Sequence, residues 1–158
     1  MTSIQYVTGD ATSPKGNGAK IICHVCNDAG GWGKGFVVAI SKRWKEPEAA
    51  YRQWFKTGME SGFTLGEVQF VQVEPQLWVA NMVAQRNYGG RGSSPPIQYD
   101  AVAQCLRAVA GEAKAQNATV HMPRIGCGLA GGKWSEIEPL IEQHLLKDGI
   151  EVTVYDFA

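Results

Sequence analysis

Pro123-Arg124-Ile125-Gly126-Cys127-Gly128-Leu129-Ala130-Gly131-Gly132 joins a β-type run at residues 119–122 to a helical pattern, and four of its ten residues are glycine. Glycine takes φ > 0 and lets a backbone approach a ligand closely, while the N–H groups that open a following helix favour an anion. A loop of this composition is built to cradle a phosphate. A second stretch has the same character: Asn27-Asp28-Ala29-Gly30-Gly31-Trp32-Gly33-Lys34-Gly35, again between an apolar run and a helical pattern. Two such loops predict a diphosphate ligand.

Outward from these loops, residues 4–8 read as a short strand and residues 20–26 as a second, fully buried one. Phe36, Val37, Ile40 and Trp44 recur at helical spacing. Pro47 then opens another helical piece, with Tyr51, Trp54 and Phe55 on one face and Gly58 as its stop. Residues 67–73 and 77–84 are strand-like on either side of Glu74, Pro75 and Gln76, the pattern of a hairpin. Residues 87–96 form a Gly/Ser/Pro-rich loop with the placement of a lid.

Val102, Cys105, Leu106, Val109, Ala110 and Ala113 make the clearest amphipathic stripe in the chain. Ser135 and Glu138 have capping-box spacing ahead of Leu140, Ile141 and Leu145, Gly149 closes that helix, and residues 150–157 form a terminal strand. Strands alternating with amphipathic helices predict an α/β fold with three layers, α/β/α, around a central mixed sheet of six or so strands, residues 1–158 forming a single domain. Ligands of such folds bind where strands end, which gathers residues 9–10, 27–35, 85–96 and 126–132 at one rim.

Charge and cysteine content narrow the function. In 158 residues, 15 Lys and Arg balance 15 Asp and Glu, so no bulk potential holds a nucleic-acid duplex or an acidic membrane. No apolar run approaches the ~20 residues of a membrane span, and residues 1–6 lack the features of a secretion signal. The expectation is a cytoplasmic monomer that does not engage membranes. Cys23, Cys26, Cys105 and Cys127 sit in apolar or glycine contexts and read as reduced thiols. The C-x-x-C of Cys23 and Cys26 encloses His24, yet residues three apart on a strand point to opposite faces, so no metal site is expected and no cofactor is called for.

Individual residues leave alternatives open. Asp10, after Gly9, suits an exocyclic amine of a base or a plain turn. Tyr155 suits stacking on a base or packing in a terminal strand. His24 reads as a general base or as a hydrogen-bonded core histidine, and Asp28 as a base or a loop cap. Cys127 has no evident partner in His121 or His144 and is read against a thiol enzyme.

The ordered set of Gly9-Asp10 after the first strand, His24-x-x-Asn27 followed by Gly30-Gly31-x-Gly33-x-Gly35, and Pro123-Arg124-Ile125-Gly126-Cys127-Gly128-Leu129 before the last helix resembles the macrodomain family, whose members bind ADP-ribose. The resemblance spans essentially the whole chain. Residues 6–10, 24–35, 122–129 and 152–155 look like the branch with terminal ADP-ribose protein glycohydrolase and the ADP-ribose-1''-phosphate phosphatases.

It implies that Asp10 holds the adenine amine with the Ala11 N–H nearby, and that Tyr155 flanks the adenine. Gly126, Cys127, Gly128, Leu129 and Ala130 wrap the diphosphate; Gly33, Gly35 and Phe36 close from the other side; Asn27 bonds the distal ribose. Gly9, His24, Gly31, Pro123 and Ile125 complete the implied ADP-ribose contacts.

The branch's catalytic lysine aligns with Gln85 and its aspartate with Ala130, and neither side chain supports a lysyl intermediate. The remaining catalytic candidates are Asn27 and Gln85 to fix the ribose, Asp28 as a base and Arg86 to balance charge. The implied activity is an ADP-ribosyl hydrolase acting on glutamate- or aspartate-linked mono-ADP-ribose of proteins, with nucleic-acid ends as a further substrate class. The alternatives are a non-catalytic ADP-ribose-binding module and an ADP-ribose-1''-phosphate phosphatase.

Overall fold

The computed structural model of the chain describes residues 3–87 and 96–157. Its strands are β1 (Gln5–Thr8), β2 (Lys20–Asn27), β3 (Val68–Glu74), β4 (Leu77–Gln85), β5 (Thr119–Met122) and β6 (Val152–Asp156). The helices are α1 (Phe36–Arg43), α2 (Glu46–Thr57), α3 (Tyr99–Gln116) and α4 (Trp134–His144). The strands form one sheet in the order β1-β6-β5-β2-β4-β3, parallel throughout except for the β3–β4 hairpin. The mixed six-stranded sheet and its helices match the α/β expectation.

Why β2 sits in the middle follows from its sequence. Ile21 and Cys23 enter the core beneath α3 and α4, whereas Ile22 and Cys26 enter the core beneath α1 and α2. A strand with apolar groups on both faces is stable only between two covered layers. The same alternation places the two thiols of the C-x-x-C on opposite faces. On α3, every residue of the stripe Val102, Cys105, Leu106, Val109, Ala110 and Ala113 is buried, and together these residues remove one face of the sheet from water at roughly 1.5 to 3 kcal/mol per large side chain.

Two local expectations are corrected. The helix after the glycine loop begins at Trp134, with Lys133 as its cap and no side-chain capping bond; Ser135 lies inside it, and Glu138 accepts a hydrogen bond from the Tyr6 hydroxyl instead of closing a capping box. Phe55 is not on the buried face of α2. Its ring packs edge-on against Phe63 and fills the space that a side chain at Gly30 would need. The proposed lid lies mostly outside the described residues (88–95), and its base is closed by the Arg86 N–H donating to Pro96 O and by a bridge of Gln85 to Ile97.

The core holds few polar groups: Thr12, His24, Asn81 and His121. Burial lowers both histidines from 6.5 to about 4, and for His121 the Lys20 ammonium acts in the same direction. His121 is held by the Thr119 hydroxyl at 2.7 Å from Nε2 and the Tyr155 hydroxyl at 2.8 Å from Nδ1. Between pH 6.5 and about 4 the unfolded chain is the better proton binder, so stability rises with pH in that window. The contribution is complete above pH 6.5 and is lost as the pH falls through about 4, with a limiting slope of about 1.4 kcal/mol per pH unit for each histidine. Urea midpoints should therefore be level above pH 7 and drop steeply from pH 6 to 4, with His121→Asn removing about half of the slope. A level profile down to pH 4.5 would take the histidines out of the acid limb.

Candidate functional site

Parallel strands end on one edge, and β1, β2, β4, β5 and β6 bring their carboxyl ends to the same rim. There the loops after β2 and β5 bound a cleft of about 340 Å³. Its walls are Lys34, Gly35, Phe36 and Val37 on one side and Pro123, Arg124, Ile125, Gly126, Cys127, Gly128 and Ala130 on the other, with His24, Val25 and Gln85 between them. Both glycine loops singled out by sequence thus face one space. Gln85 and Ala130, the positions aligned with a lysine and an aspartate, line it together.

The β5–α4 loop owes its shape to glycine. Gly126 and Gly128 have φ of 75° and 72°, a region costly for residues with a Cβ. At Gly132 the constraint is proximity: its N–H donates to Gly126 O at 2.7 Å, and a Cβ would stand 2.2 Å from that same oxygen. Ile97 N–H donates to Ala130 O. Arg124 pins the loop's start with a two-pronged bond to Asp156, at 2.6 and 3.0 Å, and its guanidinium lies over the Tyr6 and Trp134 rings. That pairing holds the Asp156 carboxyl below its ordinary range. The side chain of Leu129 lies outside the described set.

The loop after β2 is organised from within. Asn27 Oδ1 accepts from the N–H groups of Ala29 and Gly31, its Nδ2 donates to Gly31 O, and the Tyr51 hydroxyl reaches Asn27 O at 2.6 Å. Gly30 N–H donates to the Tyr51 hydroxyl, Arg52 donates to Gly30 O, and Trp32 donates to Ser41 Oγ. Asp28 Oδ1 accepts from Asn87 N–H at 2.7 Å, bracing this loop against the end of β4. Neither Asn27 nor Asp28 lines the cleft. Here the loop-cap reading of Asp28 describes the geometry, and Asn27 retains one amide hydrogen beyond its loop bonds. Gly33 is open and Gly31 half-buried. Gln85 donates to Asn87 O while lining the cleft, and Arg86 is exposed beside it.

At the β1 edge, Asp10 Oδ1 accepts from the Thr12 N–H and hydroxyl, forming a tight turn with Ala11 buried inside it. Gly9 N–H donates to Asp156 O and packs its α-carbon side against the Tyr155 ring. Tyr155 is only 3% exposed, and its hydroxyl accepts from Lys15 N–H, so it is a packing residue of β6. The exposed aromatic is Phe157, at 83%, two residues on and past the strand end. Its signal in the sequence was that spacing, which returns it to the face of Tyr155 beyond the last sheet bond.

The charged groups of the cleft are few. Among the described residues the lining holds two cations, Lys34 and Arg124, on opposite lips and no carboxylate. His24 is neutral at pH 7, and burial raises the Cys127 thiol, which Arg124 only partly opposes. Lys34, the single cation of its loop, lies within the stretch 33–36 expected to close on the ligand, although its charge was not singled out from the sequence. Among the described residues no cluster of His, Cys, Asp and Glu is arranged to hold a metal, and no helix is long and apolar enough to cross a membrane.

Comparison with known proteins places this geometry in a family, although no family model matches the chain. A solved protein of unknown function from Bacteroides thetaiotaomicron is 58% identical, with 98% of each chain covered and a TM-score of 0.95. A macrodomain protein from Streptomyces coelicolor is 53% identical over 99% of this chain and 100% of its own, with a TM-score of 0.88. Among curated relatives, mouse chromodomain-helicase-DNA-binding protein 1-like is 33% identical over 99% of this chain but 18% of its own length, so the chain spans less than a fifth of that relative. The ADP-ribose 1''-phosphate phosphatase of Meyerozyma guilliermondii is 24% identical over 91% of this chain and 95% of its own. With 53% identity to a macrodomain along its whole length and the same fold, the chain belongs to the macrodomain family.

Proposed function

We propose that this macrodomain binds ADP-ribose in the cleft and hydrolyses it from glutamate or aspartate side chains of modified proteins, with ADP-ribosylated nucleic-acid ends as a further substrate class. The observation that carries the reading is the lining itself: among the described residues two glycine-bearing loops face each other, Lys34 stands on one lip and Arg124, paired with Asp156, on the other, and no carboxylate is among the lining side chains. Strand order sets the ligand's direction. Asp10 follows the end of β1 by two residues, and β2 stands three strands away from β1, about 14 Å at the spacing of neighbouring strands. The base lies at the β1–β6 edge between Asp10 and Phe157, the diphosphate crosses at residues 126–130, and the distal ribose reaches β2 and β4.

Hydrolysis in this site is a matter of placement. Gln85 and Ala130, at the positions aligned with the branch's lysine and aspartate, form no Schiff base, and water is taken as the nucleophile. Its oxygen bonds to the anomeric carbon as the ester oxygen leaves with the bonding pair as a carboxylate, and the water's proton passes to solvent. A phosphate oxygen of the ligand and the Gln85 amide orient that water, and the lip cations offset the charge of the diphosphate. A carboxylate is a competent leaving group, which makes an ester linkage the one this lining suits.

A second reading, a module that binds ADP-ribose without turnover, is favoured by the same two residues, Gln85 and Ala130. The third, removal of the 1''-phosphate of ADP-ribose, is favoured by the name of the yeast relative. One assay separates them. The chain incubated with a glutamate-linked mono-ADP-ribosylated protein should release free ADP-ribose, seen by chromatography, and calorimetry should register ADP-ribose binding. Binding without release makes it a reader, phosphate from ADP-ribose 1''-phosphate makes it a phosphatase, and absence of binding discards the site.

The two loops predict different mutational signatures. Gly132→Ala displaces the Gly126 carbonyl and with it the phosphate-facing backbone, so ADP-ribose affinity should fall at least about tenfold, roughly 1.4 kcal/mol. Asn27→Ala removes the internal bonds of its loop and should lower stability by about 1 to 3 kcal/mol in urea titrations, with loss of affinity following from the loosened loop. Full stability of Asn27→Ala alongside lost turnover would instead give Asn27 a direct part in the chemistry.

A further inference from the structure

His24, Asn81 and Gln69 stand side by side across β2, β4 and β3 in exact register, a polar row in the layer covered by α1 and α2. Its direction is fixed from the far end. Gln69 Nε2 donates to Ala50 O of α2 at 3.0 Å, so its Oε1 turns to Asn81 and accepts from Nδ2, also at 3.0 Å. Asn81 Nδ2 gives its second hydrogen to Pro47 O at 3.1 Å. With both amide hydrogens committed to acceptors, Asn81 can offer only Oδ1 to its other neighbour, His24 Nε2 at 2.5 Å. That nitrogen must carry the proton.

A neutral imidazole has one N–H, so Nδ1 of His24 is left as a bare acceptor. Among the described residues it is the buried side-chain nitrogen without a hydrogen-bond partner. A buried acceptor left unpaired costs about 1 to 3 kcal/mol, which a native site keeps when a ligand or water supplies the donor. The surroundings keep the ring neutral: Trp32 and Phe36 pack against it, and the Cys26 thiol, 3.8 Å from Nε2, is pushed well above its ordinary value by burial. His24 lines the cleft at its β2 end, beside Phe36 and Gln85.

We propose that Asn81, held by Gln69, is a positioning residue that presents Nδ1 of His24 as a fixed acceptor for a hydroxyl of the ligand's distal ribose. This rests on the reading of the cleft as an ADP-ribose site. The acceptor confers selectivity, because a hydroxyl satisfies it while a phosphate or carbonyl oxygen without a proton meets lone pair with lone pair. The device thus selects a hydroxyl-bearing sugar at the end of the cleft where the bond is cut.

Long-range proton–nitrogen spectra of the ¹⁵N-labelled protein at pH 7, with calorimetry alongside, test it. The free protein should show His24 with the proton on Nε2; saturating ADP-ribose should move the Nδ1 resonance, and ADP, which lacks the distal ribose, should leave it in place. Asn81→Leu should mix the two tautomers and weaken ADP-ribose by about three- to tenfold with ADP affinity unchanged. A proton on Nδ1 in the free wild-type protein, an unmoved Nδ1 under bound ADP-ribose, or an equal response to ADP would each overturn the inference and leave the ADP-ribose site standing. Absence of ADP-ribose binding by the wild type would overturn the functional reading and remove this ligand with it.

Discussion

Helix α2 is the constraint on which the cleft depends. Two of its backbone carbonyls, Pro47 O and Ala50 O, accept hydrogen bonds from the amides buried beneath it. From the same helix Tyr51 and Arg52 reach Asn27 and Gly30 in the loop after β2. Polar groups in an apolar layer are costly unless their donors and acceptors are matched. The helix that seals the layer therefore also decides which way Gln69 and Asn81 point, where the His24 proton sits, and how the β2–α1 loop turns. Helix, sheet row and loop form one hydrogen-bonded unit, with the cleft's floor and one of its lips as its outer edge.

The opposite lip is built by different physics. Apart from the Arg124 clamp, the described part of residues 124–132 is shaped by its backbone. Its form comes from glycines at positive φ, from a carbonyl of Gly126 approached so closely by Gly132 that a single carbon would displace it, and from Arg124 clamped to β6 by Asp156. That clamp is exposed, so its charge attraction alone contributes little; its two-pronged geometry and the two aromatic rings around the guanidinium give it direction. One lip is thus specified by polar side chains and the other by the absence of side chains. Substitutions should act on them independently, because among the described residues no hydrogen bond joins the two loops.

This division explains what the sequence disclosed. The α3 stripe, the doubly buried β2 and the β3–β4 hairpin were legible because each is a local pattern whose period states its own burial. The glycine loop after β5 was legible for the same reason: a glycine's conformational freedom is a property of the residue. Asn27 was not. A polar side chain beside a turn competes for its own backbone, and whether it wins depends on Tyr51, 24 residues away, arriving over the loop. The row of His24, Asn81 and Gln69 was hidden altogether, since register between strands 57 and 12 residues apart leaves no local trace. Tyr155 and Phe157 show the narrowest margin, two aromatics two residues apart, one inside β6 and buried, the other just past its end and exposed.

A cleft with cations on its lips, a neutral floor and no acid in its lining constrains what chemistry it can carry. Under the proposed reading such a site would favour a dianionic ligand and a departing carboxylate, but among the described residues His24 makes a weak base, because burial keeps it neutral. If the chain hydrolyses ADP-ribose as proposed, rate enhancement would come from holding the ribose and water in one arrangement rather than from proton abstraction. An acceptor with a fixed tautomer serves that end better than a strong base would. Orientation by a hydrogen bond needs a lone pair in a known place, and a proton that exchanged between the two ring nitrogens would present that lone pair only part of the time.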